Sequence, residues 1–447
     1  MNRILIFVGI MLIVGIVLGR AQSTQSEDVL ALDKAIRIAL ENKVDVKIAK
    51  KRMTIAEAEK QSAWSNYLPS VSASAQGRRT KQGEGERFFN GIRFPTEAAT
   101  TEDYSTGISV SQNIYAGGAV RNSNKLADLG LEIGEVKYNS AKEAVVLNVT
   151  SAYLDVLRTR ELMKVYKKTL ESSQAQVESV QERYNLGAVA KTDVLRAETR
   201  AGNDKINLLQ QQNRFNQTKR NLNVAMGRSP MATIVLPEFN YEAPEGPASE
   251  TAKKTALNNS TTLQELELNI SQSRISLNMA KSNFLPDLGG YFSYNRSGFS
   301  PRDLYSDFSK NWSYTIGVEL SIPIYNNSAS MGMKTRPLIQ RRQAELSIAQ
   351  KNYTDAKLQI ESQVENLIQQ LETYAEIIEL NRLNLQSAEE DLRLARERYN
   401  VGQATILDVL DAQANLTNAQ QILVYAKFDA QNVEAQLQRA MGTLLDE

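Results

Sequence analysis

The sequence predicts a mainly α protein with a membrane β-barrel part. It is built as two duplicated halves, each holding a long antiparallel coiled-coil hairpin and two β-strands. Three observations predict this class. The chain repeats itself once at an offset of about 215 residues. Within each half, apolar residues recur every seventh position over several heptads. Between the helical stretches the period becomes two over about 11 residues, the length of a membrane-crossing strand.

The duplication is read residue by residue. Ala39-Leu40-Glu41-Asn42 returns as Ala256-Leu257-Asn258-Asn259, and Asn66-Tyr67-Leu68-Pro69 as Asn283-Phe284-Leu285-Pro286. Gly107-Ile108-Ser109-Val110-Ser111 is echoed by Gly317-Val318-Glu319-Leu320-Ser321. Arg183-Tyr184-Asn185-Leu186-Gly187 is echoed by Arg398-Tyr399-Asn400-Val401-Gly402, and Met226-Gly227 by Met441-Gly442. So long an offset marks a duplicated half rather than a stacked solenoid. The expected organisation is a secretory leader over 1–21, a first repeat over 22–227, a Pro-rich linker over 228–247 and a second repeat over 248–447.

The leader expectation rests on Asn2-Arg3, the apolar run Ile4 to Leu18 and the small-x-small site Gly19-Arg20-Ala21. No cysteine follows the run, so a lipid tether there is excluded and membrane attachment falls to the mature chain.

In the first repeat the heptad stripe is Val149, Val156, Met163, Leu170, Val177, Tyr184. In the second it is Val364, Leu371, Ile378, Leu385, Leu392, Tyr399. After each glycine a returning stripe follows: Val194, Ala201, Leu208, Phe215, Leu222, and Val409, Leu416, Leu423, Ala430, Leu437. The spacing therefore predicts helical hairpins over 118–227 and 328–441, with tips at 185–189 and 400–404. A helix from 118 to 184 would be roughly 100 Å long, more than any globule contains. Its shorter partner, from Thr192 to Met226, is extended end to end by a helix over 44–64.

Strands are expected at about 69–76, 104–115, 288–294 and 313–325, with 77–103 and 295–310 as exposed loops carrying interfacial aromatics. An open sheet in hydrocarbon leaves edge amides and carbonyls unpaired, at several kcal/mol each, so several chains must close one barrel together.

Composition excludes much chemistry. The 447 residues carry 52 Lys and Arg against 51 Asp and Glu, a net charge of +1, which gives no nucleic acid a reason to bind. With no histidine and no cysteine, thiolate or imidazole metal sites, Cys-His pairs and Ser-His-Asp triads are unavailable. The remaining acids and lysines are scattered over amphipathic helices, so no catalytic, cofactor or metal site is expected.

Taken together, the leader, the two helix–strand–strand–helix–helix repeats, Leu-Pro entering the sheet, Arg-Tyr-Asn-x-Gly and Thr405-Ile406-Leu407-Asp408-Val409-Leu410-Asp411-Ala412 resemble the TolC-type outer membrane efflux proteins. The resemblance implies a homotrimer in which the strands of all chains share one outer-membrane barrel. The helices would form an α-barrel, a periplasmic tunnel narrowing at its inner end. Such a protein is a passive exit duct of a tripartite efflux or type I secretion system, whose tips meet a periplasmic adaptor (membrane fusion protein) and an inner-membrane pump. The alternative reading is a periplasmic coiled-coil scaffold or adaptor without a membrane barrel.

The resemblance also implies site residues. Asp408 and Asp411 would line the narrow end and favour cations, although Asp408 also stands where a helix-capping carboxylate belongs. Tyr399 and Asp193, with Thr192 alongside, would form a gate lock between neighbouring hairpins. Arg196, which replaces Asp411 in the first repeat, would pair with an aspartate. Ala404 stands where some members carry an arginine, which puts an interprotomer salt bridge from that position in doubt. Gly187 and Gly402 would turn the tips that contact the adaptor.

Overall fold

The computed structural model describes residues 29–238, 241, 243, 246–322 and 335–445, and the expected leader over 1–21 lies outside them. Two helical hairpins dominate. In the first, α3 (Ala119–Asn185) runs 67 residues and returns through α4 (Lys191–Ala225). In the second, α7 (Thr335–Asn400) returns through α8 (Ile406–Met441). At about 1.5 Å per residue α3 is roughly 100 Å long. The shorter helices α1 (Leu32–Asn42), α2 (Val44–Trp64), α5 (Ser249–Asn259) and α6 (Thr261–Ser282) complete the bundle.

The returning helices are too short to match the descending ones, and two left-handed glycines solve this. Gly227 ends the α4 segment at φ 69° with Asn42 packed against it, while Gly442 ends α8 at φ 72° with the Asn259 carbonyl against it. A Cβ at Gly442 would lie 2.6 Å from that carbonyl oxygen, so no other residue fits without displacement. Thus α4 abuts the α1–α2 junction and α8 the α5–α6 junction. Each forms a composite with the helix beyond, α2 lying along α3 and α6 along α7. Side by side, the elements run α2/α4, α3, α6/α8, α7.

The heptad stripe explains the packing. In α7, Val364, Leu371, Ile378, Leu392 and Tyr399 are all buried. In α3, Val149 and Val156 are fully buried, but toward the tip the stripe becomes partly open and Thr169, Ser173 and Val180 carry the contact. Between the two hairpins, along α3 and α8, the seam is polar. Ser151 donates to Asn432 at 2.7 Å, Arg158 to Asp429 at 3.1 Å, and the Thr169 and Thr417 hydroxyls meet at 3.1 Å.

The four-stranded sheet is antiparallel in the order β1–β4–β5–β6, from β1 (Ser70–Gln82), β4 (Ala99–Ala116), β5 (Asp287–Gly298) and β6 (Trp312–Ser321). Three of these strands outrun the expectation, β5 running on to Gly298 into the expected 295–310 loop. Much of 77–103, read as loop, is β1 and β4 paired from Gly77–Tyr104 to Gln82–Ala99, and a separate hairpin, β2 (Gly85–Phe89) with β3 (Ile92–Thr96), caps the end. Cross-strand pairing such as Arg79–Glu102 at 3.4 Å holds a polar extension that hydrophobic alternation does not reveal. The expected strand end at 313–325 is shorter, since β6 stops at Ser321 and residues 323–325 lie outside the described residues.

Candidate functional site

Two features carry function: the faces of the sheet and the hairpin tips. Strand alternation sorts the sheet into two chemically distinct faces. One face carries the rows Val71–Val110–Phe292–Ile316 and Ala73–Ile108–Tyr294–Tyr314, with Leu288 and Leu320 paired below. Ile316, Val318, Tyr314 and Leu320 are exposed, so this apolar face has no cover among the described residues. At its outer rim Trp312 stacks between Tyr294 and Tyr314, with ring centroids 6.3 and 6.1 Å away, an interfacial aromatic girdle.

The opposite face is hydroxylic. Its rows are Ser72–Ser109–Ser293–Thr315 and Ser74–Gly107–Asn295–Ser313, and the Ser70–Ser111 and Ser72–Ser109 hydroxyl pairs each meet at 2.7 Å. One face suits lipid and the other a water-filled lumen. Above the belt, Arg296 is buried beneath the 299–311 loop. Its guanidinium donates to the carbonyls of Asp303, Ser306 and Asp307, under the Phe308 ring.

At the other end both hairpins share one apolar cluster of Val180, Val194, Ala197, Leu392, Tyr399, Ile406, Val409 and Ala412. Gly187 and Gly402 turn the tips at φ 72° and 77°, in open space where a Cβ would meet nothing, so backbone conformation alone selects glycine there. Arg183 crosses between the tips, its guanidinium over the Tyr399 ring and donating to the carbonyls of Tyr399 and Asn400.

The predicted tip residues take unequal places. Asp408 closes a capping box: its carboxylate accepts from the Thr405 amide at 2.7 Å and hydroxyl at 2.8 Å, while its own amide donates to the Thr405 hydroxyl at 3.4 Å. Those bonds, first the backbone one, and the nearby Arg398 charge hold the Asp408 carboxyl below the usual aspartate range. Asp411 is exposed three residues on. In the first repeat the cap position is Ala190, which offers no hydroxyl, and Asp193 faces Arg196 at 3.9 Å, with Thr192 exposed beside it.

Within the chain Tyr399 and Asp193 do not pair. Tyr399 is 5% exposed and its hydroxyl has no partner among the described residues, because its ring is held in the apolar cluster under Arg183. Ala404 packs against the same cluster and supplies no charge. The sequence reading missed the Arg183 clasp. The only available signal was the repeated Arg-Tyr pair at 183–184 and 398–399. It also missed Arg396, which reaches Ser172 and Gln413 across the α3–α8 seam and whose pKa is lowered by burial.

A sheet with one lipid-compatible and one hydroxylic face, carried on helices roughly 100 Å long, defines an outer-membrane channel with a long helical periplasmic portion. The model that defines the outer membrane efflux protein family matches residues 35–228 and 253–443, one segment per repeat, and the chain belongs to that family. It is 24% identical over 376 residues to the outer membrane protein TolC of Salmonella enteritidis, covering 81% of this chain and 73% of that one. It is also 24% identical over 420 residues to the probable efflux pump outer membrane protein TtgC of Pseudomonas putida, covering 92% and 83%. Among solved structures, VceC of Vibrio cholerae superposes with a TM-score of 0.80 at 20% identity, covering 92% of this chain and 96% of that one. CusC superposes at 0.81 with 18% identity, covering 92% of both chains. The protein is thus an outer-membrane efflux channel and not an enzyme. A soluble periplasmic scaffold would have no use for the apolar sheet face.

Proposed function

We propose that the chain is the passive exit duct of a tripartite efflux or type I secretion assembly, closed as a homotrimer. The observation that carries this reading is the four-stranded sheet with an apolar face and two unpaired edges, β1 and β6. Those edges cannot stay open in hydrocarbon, and pairing β6 of one copy with β1 of the next removes both. The helices support the same closure. At the flanks of the side-by-side order, α7 leaves Leu358, Leu380 and Leu383 exposed and the α2/α4 composite leaves Ile48, Ile206 and Leu209 exposed. These are complementary strips for a neighbouring copy.

In this assembly Asp408 and Asp411 ring the narrow end and favour cations. The gate joins Tyr399, Asp193, Thr192 and Arg196 between neighbouring hairpins. The tips at Gly187 and Gly402 receive the periplasmic adaptor, which couples the duct to an inner-membrane pump. The Tyr399 hydroxyl, buried and without a partner among the described residues, supports a role for that residue at a contact made between chains.

The test is extraction of the membrane fraction with detergent, followed by gel migration with and without heating and by native mass measurement. A heat-modifiable band at three times the protomer mass is expected. A monomer released without detergent overturns the reading.

A further inference from the structure

The hydroxylic face of the sheet contains one interruption. Between Asp287 at the start of β5 and the Arg78–Asp103 pair beyond the belt, every described residue on this face is neutral except Glu319. The cross-strand register leaves no doubt about its side: Glu319 pairs with Gly289, and Gly289 with Asn113, while Val318 and Leu320 point to the apolar face. Gly289 offers no side chain directly opposite the carboxylate, while the ring of Tyr291, next along β5 on this face, lies over Gly317. Glu319 is exposed and forms no ion pair among the described residues. The duplication sharpens the contrast, because the echo of Gly317-Val318-Glu319-Leu320 reads Gly107-Ile108-Ser109-Val110. Where the first repeat follows the serine rule, the second sets a fixed charge.

We infer that Glu319 is a charge-selectivity residue of the barrel itself, set in the lumen near the end where sheet meets helices and independent of the aspartates at the tips. The inference rests on the shared-barrel reading, which brings one Glu319 from each copy around the same lumen. A carboxylate facing a water-filled passage with neutral walls concentrates cations and depletes anions near it. In so wide a passage its reach is set by screening. The Debye length is about 10 Å at 0.1 M salt and about 30 Å at 0.01 M, so the preference it imposes grows as salt is lowered. The cargo class favoured at this ring is cationic or neutral.

The experiment uses the purified full-length protein in planar bilayers under a salt gradient, comparing the wild type with Glu319→Gln and Glu319→Lys. At roughly 10 mM salt, where screening is weak, Glu319→Lys is expected to lower the cation-over-anion permeability ratio at least about twofold, with Glu319→Gln between. The differences should shrink toward 1 M. Since the chain contains no cysteine, Glu319→Cys gives a single reactive thiol. After insertion, an anionic sulfonate reagent should restore the wild-type ratio and a cationic ammonium reagent should lower it further, which removes any dependence on folding of the lysine variant. Unchanged ratios in conducting variants, or a thiol that neither reagent alters, overturn the assignment. A wild-type protein that forms no pore at all overturns the shared-barrel reading instead.

Discussion

The Arg183 guanidinium lies 4.7 Å from the centroid of the Tyr399 ring and donates to the Tyr399 carbonyl at 2.9 Å and the Asn400 carbonyl at 2.6 Å. One side chain thus clasps the end of α3 to the end of α7. The carbonyls it uses belong to the last turn of α7, where regular helical pairing ends; that of Tyr399 also accepts from the Gly402 amide at 3.1 Å. A hydrogen bond from a charged donor contributes about 1.5–3 kcal/mol and a partly exposed cation–π contact about 0.5–1 kcal/mol.

Arg183→Ala is therefore expected to loosen the tips and raise resting conductance severalfold in planar bilayers. Arg183→Lys, which keeps the charge but loses the planar fork, should fall between. Wild-type conductance in the alanine variant would show that the clasp does not restrain the closed tip.

Tyr399→Phe separates a contact within the chain from one between chains. The phenol has no partner among the described residues, so its removal takes away a buried unsatisfied group and should leave protomer stability unchanged or slightly raised. If neighbouring hairpins use that hydroxyl, resting conductance rises while the melting temperature does not fall. A silent variant places the lock elsewhere.

The Thr405–Asp408 box allows capping and pore charge to be told apart. Thr405→Ala removes the capping hydroxyl at a cost of about 0.5–2 kcal/mol and leaves both carboxylates in place, so ion preference should persist in a less stable tip. Asp408→Asn with Asp411→Asn should weaken cation preference in the same recordings. Equal selectivity in all three proteins would reduce Asp408 to a helix cap.

Glu143 supplies a pH test. Its side chain is buried among α3, α6 and α8, and burial pushes its carboxyl above the ordinary glutamate range. The Thr261 hydroxyl, donating at 3.0 Å, and the charges of Arg439 and Lys142 offset this in part. The folded state then binds its proton at higher pH than the unfolded chain. This group's contribution to stability therefore falls as pH rises from the ordinary glutamate value through the raised one. Glu143→Gln, which stays neutral, should flatten that component, so the difference in melting temperature between variant and wild type should widen toward neutral pH. A difference independent of pH would show that Glu143 is not titrating in this window.

Much of this was legible in one chain. The seven-residue stripe in α7 predicts a buried line, and Val364, Leu371, Ile378, Leu392 and Tyr399 form it, because a heptad keeps one helix face toward its partner whatever the rest of the fold does. Alternation likewise located β6 and its two faces, since the pleat is local geometry. The outer parts of β1 and β4 were not legible. Arg78 to Gln82 and Ala99 to Asp103 show no apolar alternation, and they become strand by continuing an established ladder.

What the sequence could not decide is how two equal motifs would be used. Arg-Tyr-Asn-x-Gly occurs twice, yet Tyr399 is buried beneath Arg183 whereas Tyr184 is 38% exposed beside Lys191. Thr405 and Ala190 likewise send Asp408 into a capping box and Asp193 toward Arg196. Periodicity specifies which face of each helix turns inward, because burying apolar area favours one orientation. Which side chains then meet depends on the offset between hairpins, and that offset is set by distant contacts such as Gly442 against Asn259 and the polar seam of α3 with α8. In the proposed trimer only one of the two pseudo-equivalent seams lies inside a single chain, and within the chain the duplicated sequence yields unlike tips.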